Sequence, residues 1–316
     1  MYKLSAGLIA ALFVQSMAFA ASSTICKTPS LYDFTVYSIG NIDVQQSDYQ
    51  GLTGSGGSIL AINFQFNSNP ETCLAVSVAK DLGISSSAIN GNTEAQGTAG
   101  LRSVGARGDV VARKTHFVST GVRGKVVTKN PSFRVNHADV IEELIVESSK
   151  LAHKSSTGMA LNRADALVLD LKSTDNVIYI LHPSVINEAK RIIINGNPSS
   201  KVVINVPGED IRLKGQDVML LGDVNPANIT WNFYQAKNLH ISKTHNALYG
   251  MPGIVMAPLA LVEFHEALIT GALYAGSIVT SLSPFTDLNA GQVNRDVTDN
   301  PLAPPPPPEP PPVFPE

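Results

Sequence analysis

The sequence predicts a mainly β chain built as a β-solenoid, with one amphipathic α-helix at about 133–153 packed alongside. Three observations predict it. The phrase Gly-x-x-Gly-x-[IV]-[LV] occurs at Gly54, Gly105 and Gly121, and self-similarity at a regular step outweighs local propensity. Short stretches alternate apolar and polar residues with the two-residue period of a strand, as at Leu167, Leu169 and Leu171. Residues 132–154 change to helical spacing.

Taken in chain order, the first element is Lys3 followed by LSAGLIAALFVQSMAFA. That run is too short for a membrane span, and Ala18-Phe19-Ala20 fits the small-x-small cleavage rule. Residues 1–20 therefore read as a secretory signal, with the mature chain starting near Ala21. No cysteine follows the site directly, which argues against a lipid anchor. Cys26 and Cys73 are the only cysteines, and in an exported chain they are expected to pair. Two cysteines alone make no structural zinc site.

The repeat comes next. Its copies lie 51 and 16 residues apart, and 51 is about three times 17. Gly253-Ile-Val-Met-Ala257 is answered by Gly271-Ala-Leu-Tyr-Ala275, 18 residues on. A step of 16–18 residues suggests one coil of a solenoid, with glycine turning the corners at positive φ and β-branched residues filling the flat sides. Val202, Ile204 and Val206, then Ile211 and Leu213, supply further alternating strands. In the 132–154 segment Ala138, Ile141, Leu144, Ile145, Ser148, Leu151 and Ala152 share one helical face, Asn136 can cap the start, and Asp139 suits the positive end of the dipole.

Residues 250–279 are nearly all apolar yet hold Glu263, His265 and Glu266. Charges at the centre of a span cost about 3 kcal/mol each, so this is no membrane helix. The stretch reads as two successive coils, with those three residues at the turn between them and with Ile254 and Leu273 inside. After Phe285 a polar stretch leads to PPPPPEPPPVFPE, so residues 284–316 are expected to form a proline-rich disordered tail, extended at about 3.1 Å per residue. The domain is expected to span 21–283.

Charge and motifs exclude several functions. The charged fraction is low at 16%, the hydrophobic fraction is 44%, and no basic cluster stands out, which argues against nucleic acid and anionic membrane as partners. Arg107-Gly108-Asp109 spells an integrin-type tripeptide and is the one candidate binding site. His265-Glu266 lacks the second histidine of a zinc-protease helix, since position 269 is Ile. His240 and His245 have no carboxylate at ligand spacing, so no metal and no cofactor is expected. Trp231, the only tryptophan, could stack on a sugar but reads better as core. A polysaccharide-cleaving enzyme would need Asp210, Asp217 and Asp223 to converge. Ice binding requires a flat face of repeated threonines, and the rungs show no such array.

Tyr32-Asp-Phe-Thr-Val-Tyr-Ser-Ile-Gly-Asn41, the early Gly-Ser-Gly-Gly rung, the single helix, Lys201-Val-Val-Ile-Asn-Val-Pro-Gly208, Ile229-Thr-Trp-Asn-Phe233 and the closing pair of glycine phrases stand in a specific order. Through roughly residues 31–283 the chain resembles the choice-of-anchor A domain family. That resemblance implies a right-handed β-helix with a helix alongside, in a bacterial secreted or surface protein of adhesin character. The chain departs from the family pattern after Phe285, where no sortase motif, closing hydrophobic span or basic terminus appears. The expected function is thus an exported, adhesin-like binding or structural module without catalysis, whose partner is an extracellular glycan, matrix or cell-surface protein. The alternative is a carbohydrate-processing β-helix enzyme.

Overall fold

A computed structural model describes residues 26–280 apart from 70, 181, 243–249 and 266, together with the strand Gln292–Asn294. The signal at 1–20, the tail at 284–316 except that strand, His245 and Glu266 lie outside the described residues.

The fold is mainly β, with almost every strand pairing parallel to its neighbours. Strands stack into three ladders, which we name the helix-bearing, the flat and the third face. Long strands such as Met251–His265 and Leu268–Thr280 bend from one face into the next. Along the helix-bearing face one register column runs Ile178, Ile204, Trp231, Val255, Leu273, Val36, Thr53, Val76, Thr93, Val110 and Val126. Nearly all of these point into the core. Leu167, Leu169, Leu171, Val202, Ile204, Val206, Ile211 and Leu213 are buried there, as their alternation predicts. Each such side chain contributes about 1.5–3 kcal/mol on burial.

That column shows that stacking order is not chain order. Residues 34–127 climb from the middle of the stack to one end, residues 157–280 start from the opposite end and return to the middle, and Val36 pairs with Leu273 at the seam. The helix His137–Ala152 makes the return journey over the outside. Its 16 residues are about 24 Å long, and with the reach of the side chains at both ends it bridges the eight strands from Tyr179 to Ser77.

The adjacent register column, facing outward on the same side, receives it. Tyr179, Asn205, Asn232, Met256, Tyr274, Tyr37, Gly54, Ser77 and Glu94 stand in line, and they meet the return segment in order. Tyr179 Oη donates to the Ala152 carbonyl at 2.6 Å, Asn205 Nδ2 to that of Leu151 at 2.9 Å, and Asn232 Nδ2 to that of Ser148 at 2.9 Å. Ser148 Oγ donates to Asn232 Oδ1 at 2.6 Å. Tyr37 Oη and Ser77 Oγ lie 3.1 and 3.2 Å from the two ring nitrogens of His137. Glu94, almost fully buried, takes the Arg134 guanidinium at 2.8 Å. Asn136 caps the helix as expected, accepting from the Ala138 amide.

Several expectations need correction. The buried helix face is His137, Val140, Leu144, Ser148 and Leu151, while Ile145 is exposed and Ala138 faces out. Ser148 is buried as its spacing predicts, but apolarity alone mis-sets the start of the face, because the polar His137 finds buried partners in Tyr37 and Ser77. A second, five-residue helix, Pro183–Asn187, packs beside the flat-face strand Asp210–Lys214. The step between coils is not uniform: Tyr37, Gly54, Ser77, Glu94, Val111 and Val127 stand in register at steps of 17, 23, 17, 17 and 16.

Gly105 and Gly121 are true neighbours, but Gly54 belongs to another face, where a Cβ would strike the Phe34 ring at 2.3 Å. The phrase recurs because two different corners need a small residue followed by a polar one. At one, Asn41 Oδ1 accepts from Ser58 N; at the other, Asn92 Oδ1 accepts from Asp109 N. The corner after the flat face uses no glycine in five successive coils. Gln46, Asn63, Ser86, Ser103 and Ser119 all adopt left-handed φ between 49 and 57°. The amides of Gln46, Asn63, Ser86 and Ser103 each bond to the coil above, which offsets the strain of about 1–2 kcal/mol per residue.

In the 250–279 stretch the two coils and their offset of 18 are present, but Glu263 and His265 lie on the strand Met251–His265, not at a turn. Ile254 sits under the helix with Phe34, Tyr37 and Leu144, whereas Leu273 does lie inside the coil.

Candidate binding faces

With part of one face covered by the helix, the flat face offers a long open surface. Nine parallel strands build it, about 40 Å from first to last. Its inward column is Ile211, Leu239, Val262, Ile278, Ile42, Ile59, Leu82 and Ala99, all buried, so the alternate residues point out. The first outward row reads Arg212, His240, Glu263, Val279, Asp43, Leu60, Gly83, Gly100 and His116. The second holds Lys214, Ser242 and His265, then Gln45, Ile62, Ser85, Arg102 and Val118. Neither row contains a threonine among the described residues.

The face divides into three sectors. At one end His240 Nδ1 pairs with Glu263 Oε2 at 2.7 Å, its Nε2 lies 3.7 Å from Asp210 Oδ1, and Arg212 pairs with Asp210 at 2.9 Å. Sequence reasoning missed this network because Glu263 lies 23 residues from His240 in the chain and one strand away in the fold. In the middle Leu60 is 48% exposed beside Ile62 on its own strand, the exposed Asp43 stands between it and Val279, and Gly83 and Gly100 leave the next two strands smooth. At the other end Arg102 and His116 face outward.

The remaining candidates do not assemble. Asp210 lies on the flat face, Asp217 on a third-face strand in register with Arg191, and Asp223 at a left-handed turn beyond it. Three carboxylates on successive sides of one coil cannot act on one bond. Arg107, Gly108 and Asp109 form a corner: Arg107 is exposed, Gly108 packs on the Gly91–Asn92 backbone, and Asp109 Oδ1 accepts from the Lys125 amide at 2.7 Å. Trp231 is fully buried and donates from Nε1 to the Pro252 carbonyl at 2.9 Å. Among the described residues no His, Cys, Asp and Glu group is arranged to hold a metal ion, and no helix is long and apolar enough to cross a membrane. Cys26 and Cys73 form a disulfide, as expected.

Comparison with known proteins gives one family. The family described as Putative Ice-binding-like adhesive domain matches residues 28–284. No curated protein matches the chain. Among solved structures, it is similar to an ice-binding protein from the Antarctic ascomycete Antarctomyces psychrotrophicus, at 10% identity over 85% of this chain and 97% of that one, with a TM-score of 0.41. An ice-binding protein from an Antarctic biological consortium aligns at 14% identity over 85% and 88% of the two chains, TM-score 0.34. One from an Antarctic Flavobacteriaceae bacterium aligns at 11% over 82% and 81%, TM-score 0.32.

Proposed function

The chain belongs to the ice-binding-like adhesive domain family, and from that premise we propose that it is an exported, non-catalytic adhesin that binds an extracellular surface through its flat face. The observation that carries this reading is the face itself: nine strands held in register, open beside the face that bears the helix, with exposed Leu60 and half-buried Ile62 next to Asp43 at its middle and charged groups at its ends. An adhesive role needs such a rigid, extended surface, since preorganisation lowers the cost of binding. The two outward rows that carry Leu60 and Ile62 hold no threonine among the described residues, which favours the adhesive over the ice-binding half of the family description.

The parallel stacking supports a right-handed β-solenoid over 21–283, and the ordered motifs support a choice-of-anchor A domain. A signal at 1–20 and a proline-rich spacer at 284–316 complete the proposed organisation of a bacterial secreted or surface protein. The disulfide suits an oxidising compartment. The Arg107-Gly108-Asp109 corner is at most a secondary contact, because the Asp109 carboxylate is engaged within the corner.

The test is a binding screen of the full chain against immobilised glycans, collagen, fibronectin and whole bacterial cells, alongside Leu60→Arg and Ile62→Arg. Saturable binding to one class, lost in both variants while melting is unchanged, supports the reading. Binding to none of them, or binding indifferent to both substitutions, overturns it.

A further inference from the structure

The geometry points to a second binding site: the terminal coil around Val110–Val127 is a cationic pole that docks an acidic polysaccharide. Eight of the chain's 23 Lys and Arg, but one of its 26 Asp and Glu, fall between Arg102 and Arg134; the stretch carries +7 and the remainder −10. The expectation that no basic residues cluster therefore fails: the imbalance lies in the sequence itself, where cations one to nine positions apart form no continuous basic run, and the winding of the coil brings them to one end of the stack.

Only Arg134 of these eight forms an ion pair among the described residues, with Glu94. The lone acid, Asp109, turns one carboxylate oxygen to the Lys125 amide. Arg102, Arg107, Arg113, Lys114, Arg123, Lys125 and Lys129 are all exposed. Gly105 and Ala106 pair with Gly121 and Val122, so Arg107 and Arg123 follow in line on adjacent coils, about 4.8 Å apart. Like charges facing each other across a ladder are destabilising, and a bound polyanion would relieve that repulsion.

Edge protection accounts for part of this charge. Thr115–Val118 pairs on one side only among the described residues, and lysines on an edge discourage end-to-end pairing. That does not explain Arg107, Arg123 and Lys125, which sit at the third face and its following corner. The partner class follows from what accompanies the cations. Phe117 and Phe133 are both partly buried, so no exposed Phe, Tyr or Trp in this stretch stands ready to stack on bases. The exposed apolar residues of the coil are only Val118 and Val126, too few to enter a bilayer. Charge without stacking or insertion fits a uronate- or sulfate-bearing glycan.

The experiment measures binding of the full chain to polygalacturonate over rising salt, from about 20 mM to about 0.5 M, where screening removes exposed charge interactions. The pole variant carries Arg107→Glu, Lys114→Glu, Arg123→Glu and Lys125→Glu, which keeps the edge charged. The control carries Lys80→Glu, Lys154→Glu, Lys172→Glu and Lys201→Glu, with the same net charge. Salt-sensitive binding that falls at least about tenfold in the pole variant and far less in the control is the expected result. Absence of binding, equal loss in both variants, or tighter binding to single-stranded DNA or to anionic vesicles would overturn the assignment. The flat-face variants distinguish this site from the proposed function: surface binding that persists without polygalacturonate binding removes only the pole.

Discussion

Acid should loosen the helix from the stack, and His137 sets where. The ring is 4% exposed, stacked 6.0 Å from the Tyr37 ring and held between the Tyr37 and Ser77 hydroxyls. Burial lowers its pKa from 6.5 to about 4. Above pH 6.5 the imidazole is neutral in the folded and the unfolded chain alike. As pH falls below 6.5 the unfolded chain takes up a proton that the folded chain refuses until about pH 4, so stability declines across that window and then levels off for this group. At about 1.36 kcal/mol per pH unit the full loss is about 3 kcal/mol, and about 2 kcal/mol is already lost at pH 5. Urea midpoints followed by the fluorescence of Trp231, the only and fully buried tryptophan, measure this between pH 7.5 and 5. The His137→Gln variant should lose about 2 kcal/mol less than the parent over that range, other groups cancelling in the difference. Parallel slopes for the two proteins would refute the argument.

Three further outcomes are expected. Gly271→Ala should destabilise by several kcal/mol, since φ is 150° and a Cβ would lie 2.0 Å from the Gly253 carbonyl oxygen, whereas Gly105→Ala meets nothing within 4 Å and should be nearly silent in thermal melts. Asn232→Ala should cost about 2–4 kcal/mol in urea unfolding, because it strands the Ser148 carbonyl, the Ser148 hydroxyl and Asn205 Oδ1 together. Cys26→Ser should cost about 4 kcal/mol on the chain-entropy account, from a closed loop with a sequence separation of 47, and the same shift should follow from adding reductant to the parent.

What the sequence reveals and what it hides divide along one line. Alternation such as Val202, Ile204 and Val206 reports which side chains are inward, because strand period is local. The helix is equally local, and Asn136 marks its start. Which strands are neighbours is not local. Val36 beside Leu273 leaves no trace in spacing, and the pairing of His240 with Glu263 depends on a coil of 23 residues. The corner after the flat face hides for another reason: Gln46, Ser86 and Ser103 take a conformation usually left to glycine, held there by the stack and not by their own preference.

The order of the coils has a mechanical consequence. In a stack whose neighbours are also neighbours in sequence, each coil contacts only the next, and either end can open alone. Here residues 34–127 and 157–280 meet at a seam with no covalent link across it. The helix lies over that seam, anchored on one side by His137 to Tyr37 and Ser77 and on the other by Ser148 and Leu151 to Asn232 and Asn205. Parting the two halves therefore requires lifting the helix off at least one of them, which exposes buried polar groups as well as the apolar cluster of Phe34, Leu144 and Met256. The polar row beneath the helix thus turns two stacks into one cooperative unit, and it keeps the flat face, which crosses the same seam between Val279 and Asp43, in a single register.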